Sequence, residues 1–155
     1  MQEMKPMKTC ALAAAAAALA MCAPAQAAEY TTTINHPEGP IAADYAGKPR
    51  VAMQQVGGVG AAGRPSSLSC RWTVSLAVER HARLGSGHQA RRSLVRSDVV
   101  KGSTPGWCPD REHGAERIAA RHRDEIHAAL MALVEQDRAV LLTEVDSMRK
   151  ASLGG

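Results

Sequence analysis

An α+β fold, a small antiparallel sheet of about three strands packed by one long C-terminal helix, is what the sequence predicts, and three observations predict it. Residues Ser69–Leu84 carry the clearest strand pattern in the chain, the chain from Pro109 onward takes up a helical period, and Cys70 and Cys108 can close one loop between them. The strand comes first. Trp72, Val74, Leu76 and Val78 alternate with Arg71, Thr73, Ser75, Ala77 and Glu79, a period of two that sends one set to a core and the other to water.

Gly85-Ser86-Gly87 supplies a turn, and Arg91–Lys101 returns as a second strand. Its pattern is irregular, because Leu94, Val95, Val99 and Val100 do not choose a single face. Folding the chain about Ser86 brings Cys70 near the far end of the returning strand, and Gly102–Trp107 gives Cys108 the slack to reach it. A Cys70–Cys108 disulfide would then clamp the open end of the hairpin.

Pro109 or Asp110 suits a helix start and Gly154-Gly155 its end. Ile118, Ile126, Leu130, Leu133, Val134, Leu141, Val145 and Met148 share one broad face, the stripe that covers the sheet. Asp137 and Glu144 fall near the middle of that stripe, and a bend or break near Gln136–Arg138 is the expected relief.

The N-terminus has the three parts of a secretory signal peptide: Lys5 and Lys8, an uncharged run Cys10–Ala23, and Pro24-Ala25-Gln26-Ala27. The run is shorter than the roughly 20 residues a spanning helix needs. Residues 1–27 are therefore expected to be removed, leaving 128 of 155 residues, no transmembrane segment and a periplasmic or secreted location. An alternative is a lipoprotein anchored at Cys22, since Leu19-Ala20-Met21-Cys22 resembles a lipobox with Met21 where that motif carries a small residue. Residues 28–68, rich in Thr, Pro and Gly, read as a flexible arm with possible strands at Tyr30–Ile34 and Arg50–Val56; residues 69–155 hold the hairpin and helix. In an oxidising compartment Cys70 and Cys108 should join, and neither has the closely spaced second Cys or His of a zinc site.

Motifs that suggest chemistry fail on geometry. Gly58-Val59-Gly60-Ala61-Ala62-Gly63 has the letters of a dinucleotide fingerprint, but Arg64-Pro65-Ser66-Ser67 and a strand follow where a helix must open. His122 and His127, five apart, point about 140° apart around a helix and cannot share an ion. Asp137 and Glu144 stand about 10.5 Å apart along the axis, long even for the two acids of an inverting glycosidase. Gly102-Ser103-Thr104-Pro105-Gly106 lacks the residue between glycine and serine that a nucleophile elbow requires. No catalytic residue, cofactor or metal is expected.

Charge is the remaining signal. Loss of Lys5, Lys8 and Glu3 takes the net charge from +4 to +3. Residues 80–101 hold Arg80, Arg83, Arg91, Arg92, Arg96 and Lys101 against Asp98 alone, while residues 124–155 hold six acids against three bases, so the domain is electrically lopsided. Arg80, Arg83, Arg91, Arg92 and Arg96 are the expected anion-binding residues, several of them on the solvent side of the hairpin, where guanidinium forks can hold phosphates or carboxylates. The expected partner is an anionic envelope component or an acidic protein. Nucleic acid is disfavoured, since only Trp72 and Trp107 could offer stacking rings nearby. Two other readings stand beside this non-enzymatic binding protein. One is an assembly subunit that pairs with a second copy through its helix; the other is a small periplasmic hydrolase, which would need His81 or His88 to meet Asp98 and a serine.

Overall fold

The computed structural model describes residues 27–85 and 87–154. The expected signal peptide, the lipobox cysteine Cys22 and the turn residue Ser86 lie outside the described residues. Four strands, β1 (Ala28–Ile34), β2 (Ile41–Val56), β3 (Ser69–Leu84) and β4 (Gln89–Pro105), are followed by two helices, α1 (Arg111–Arg121) and α2 (Arg123–Leu153). The strands form one sheet in sequence order, every neighbour antiparallel. The class is the α+β one the sequence predicts, with four strands in place of about three.

The added strand material comes from residues 28–68, expected as an arm. β1 and β2 pair from Ala28↔Gly47 to Ile34↔Ile41, and β2 pairs with β3 along its whole length. An alternation does exist in β2, since Ile41, Ala43, Tyr45 and Gly47 are buried while Lys48, Arg50, Ala52 and Gln54 are exposed. Its inward positions include Ala43, Gly47 and Pro49, which are poor strand signals. At Gly47 the strands approach closely, and a Cβ there would lie 3.2 Å from both the Ala28 carbonyl oxygen and Leu76 Cδ1. Pro49 follows just past the end of β1, where β2 becomes an edge strand and proline is tolerated.

The irregular pattern of β4 has a local cause. Val74 pairs with Val100 but Leu76 pairs with Arg96, so β4 carries a bulge opposite Ser75. Asp98 sits in it at φ 53°. A bulge breaks the period of two locally, which is why the adjacent Val99 and Val100 both pack on the core; beyond it Leu94 faces the core and Val95, 67% exposed, lies on the far face.

α2 covers one face of the sheet. Val74, Leu76 and Val78 of β3 are fully buried against a layer that includes Leu130, Leu141 and Val145. Trp72 lies across Gly102 of β4, where any Cβ would be 2.2 Å from the indole, and its ring meets that of His122 at 5.0 Å between centroids. The helical region is interrupted at His122, between α1 and α2. The break expected near Gln136–Arg138 is absent: α2 runs unbroken through those residues.

Asp110 caps α1, accepting from the His113 amide at 2.9 Å. That bond and a second to the His113 ring hold the Asp110 carboxyl below its usual range, while Asp110 raises the His113 imidazole. At the sheet's other end, His36 meets Asp146 at 3.4 Å and Glu38 meets Arg149 at 3.5 Å, tying the β1–β2 turn to the last turns of α2. The Cys70–Cys108 disulfide, with Cα atoms 4.8 Å apart, joins the start of β3 to the segment leaving β4, closing the open end of the hairpin as expected.

Candidate functional site

Strand register sets a single polar row across the covered face of the sheet. Tyr30 pairs with Tyr45, Tyr45 with Arg80, and Arg80 with Arg92, one residue from each strand. α2 lays two acids over this row. The Arg80 guanidinium donates through Nη1 to Asp137 Oδ2 at 2.9 Å and through Nη2 to Glu144 Oε2. Arg92 adds a looser contact, with Nη1 3.5 Å from Asp137 Oδ1 and 3.8 Å from Glu144 Oε1. The Tyr45 hydroxyl donates to Asp137 Oδ2 at 3.1 Å.

This cluster is deep. The side chains of Arg80 and Asp137 are 0% exposed, whereas Glu144 and Arg92 reach solvent at 36% and 38%. Burial first, and the Asp137 charge second, push the Tyr45 phenol far above its ordinary value, so it stays a donor. Two cations and two carboxylates cancel, which is the condition under which charge survives in a low-dielectric core. The cluster is a clamp between sheet and helix. Beside it, a shallow groove of about 410 Å³ opens between β4 and α2, lined by Ala90, Arg91, Val140, Thr143, Glu144, Ser147 and Met148.

The five expected anion-binding arginines do not form one surface. Arg80 is a correction: it has the parity of Val74, Leu76 and Val78, faces the helix, and is consumed by Asp137 and Glu144. Arg92 shares that face and the same two acids. Arg96, also of this parity, is exposed. Arg83 and Arg91 alone lie on the uncovered face, and Arg83 is held by Asp44 at 2.7 Å, a carboxylate that also accepts from Thr31 at 3.0 Å.

The uncovered face sorts its charges differently from the sequence expectation. Toward the β3–β4 turn, Glu29, Asp44 and Glu79 stand among Arg83 and Arg91. Toward the disulfide, Arg50, Arg71 and Lys101 are exposed, and the acid accompanying them is Asp98, 3.2 Å from Lys101; Lys48, opposite Ala77, stands at mid-sheet, diagonal to Glu79. This second group is missed by counting charges along the chain, because its members come from three different strands. A shallow notch of about 330 Å³ lies among Arg71, Trp72, Thr73, Lys101, Gly102 and Ser103.

Other candidates stay apart. Among the described residues no group of three or more His, Cys, Asp or Glu is placed to hold a metal ion. His81 pairs across strands with Asp44 and Arg91, while Asp98 is seven residues from Arg91 along β4, on the order of 20 Å at about 3.3 Å per residue. The glycines of 58–63 lie in the loop before β3 and open no helix. No known protein family, no curated protein and no solved structure matches the chain.

Proposed function

We propose that the chain is an exported, non-enzymatic binding protein of the bacterial cell envelope, which holds an anionic partner against the disulfide end of its uncovered sheet face. The observation that carries this reading is the charge sorting: three exposed cations near the disulfide, Arg50, Arg71 and Lys101, with the acid Asp98 among them, on a face that no helix covers among the described residues. Arginine and lysine side chains standing on a rigid sheet present a fixed pattern of positive charge, which favours association with polyanions and suppresses other partners.

The disulfide and the absence, among the described residues, of a helix long and apolar enough to cross a membrane are compatible with export, and β1 opens at Ala28, directly after the expected cut. The binding reading is favoured over helix pairing because Leu130, Leu141 and Val145 of the apolar stripe are 0–1% exposed, packed with the chain's own sheet. Dextran sulfate serves as a polyanion probe. Its affinity should fall steeply as salt is raised toward about 1 M, where the Debye length is about 3 Å; affinity that does not change with salt contradicts the proposal.

A further inference from the structure

Two apolar side chains stand in water at the same end of the sheet as the exposed cations Arg71 and Lys101. Val59 is 71% exposed and Trp107 70% exposed. Val59 belongs to the β2–β3 loop and Trp107 to the segment leaving β4, and these lie side by side, the Gly106 amide donating to the Leu68 carbonyl at 2.9 Å. Their base is fastened. Gln55 donates to the carbonyls of Ser69 and Gly106 at 3.0 and 3.1 Å and accepts from the Cys108 amide at 2.6 Å, beside the Cys70–Cys108 bond. In a chain with two tryptophans and no phenylalanine, one indole fills the core and the other is held in solvent on a crosslinked support.

We propose that this end of the molecule rests on an anionic phospholipid bilayer, with Trp107 and Val59 entering the headgroup layer and Arg64, Arg71 and Lys101 meeting lipid phosphates. The inference deepens the proposed function and rests on its assignment of an anionic partner. Tryptophan prefers the membrane–water boundary, where its apolar body and its N–H are both satisfied. Basic residues near an anionic leaflet add attraction that fades within a Debye length. A soluble polyanion has use for the cations but none for two apolar tips on adjacent loops, and a bilayer uses both. The notch between Arg71 and Lys101 has room for a phosphate with its ester substituents.

The mature chain is mixed with vesicles of phosphatidylglycerol and phosphatidylcholine in equal parts, and with phosphatidylcholine vesicles. The expected result is a shift of tryptophan emission to shorter wavelength with the anionic vesicles alone. Trp107→Ala removes the shift and lowers vesicle affinity about tenfold, and Val59→Asp lowers it as well; both sites are exposed, so folding is retained. An equal shift on phosphatidylcholine vesicles overturns the inference. So does unchanged emission with anionic vesicles when dextran sulfate is still bound in a salt-sensitive way, which leaves the proposed function standing. Binding of neither probe at low salt overturns both.

Discussion

Asp137→Ala should lower the free energy of unfolding by about 3–5 kcal/mol, the usual cost of removing one partner from a buried ion pair. Arg80 would keep only Glu144, and the Tyr45 hydroxyl would lose its acceptor in a fully buried site. Against a total stability of about 5–15 kcal/mol for a domain of ordinary size, that loss brings the fold to its margin. The effect belongs to the unpaired charge and not to lost attraction, so removing both partners should be far milder. In the triple variant Arg80→Met, Asp137→Leu, Tyr45→Phe, which also removes the hydroxyl that Asp137 satisfies, Arg92 and Glu144 remain 3.8 Å apart and still cancel, and most of the loss should be recovered, since apolar replacements of buried pairs are often neutral or stabilising. Urea unfolding with an unchanged m-value is the measurement. A loss below about 1 kcal/mol for Asp137→Ala would place the pair in the range of surface ion pairs and contradict the clamp.

Removal of the disulfide is the second large effect. Cys70 and Cys108 are 38 residues apart, and a closed loop of that size restricts the unfolded chain by about 4 kcal/mol on the loop-entropy account. The paired variant Cys70→Ala, Cys108→Ala should lose about that amount, read as a lower urea midpoint. The native state should keep its sheet, because the β3–β4 ladder extends from Ser69↔Pro105 to Arg83↔Gln89 and Gln55 still fastens the Gly106–Cys108 backbone. An unchanged midpoint in the paired variant would show that the crosslink does not limit the unfolded state.

The sequence made β3, the helical stripe and the disulfide legible because each is written in large side chains at a regular period or in a unique cysteine pair. The Arg50–Val56 half of β2 was legible, while its first half was obscured because its inward positions include Ala43, Gly47 and Pro49, residues with weak strand preference. The bulge at Asp98 hid the true faces of β4. The clamp was present in the pattern all the same. Arg80 continues the inward parity of Trp72 through Val78, and Asp137 and Glu144 interrupt the helical stripe two turns apart, so one inward cation and two inward acids were complementary errors that cancel. Reading the arginine as solvent-facing and the acids as a cause of bending treated each alone. The grouping of Arg50, Arg71 and Lys101 was beyond linear reading, since their proximity depends on the register of three strands.

The proposed contact depends on which exposed cations the fold gathers at the disulfide end, and two sets of substitutions test that directly through affinity for dextran sulfate at low salt. Glutamine at Arg50, Arg71 and Lys101 should weaken binding by more than about tenfold and flatten its salt dependence, while glutamine at Arg83, Arg91 and Arg96 should change it less than about threefold, as expected when charge outside the contact acts only at long range. The reverse order, with the second set decisive and the first neutral, would return the contact to the hairpin and contradict the assignment to the disulfide end.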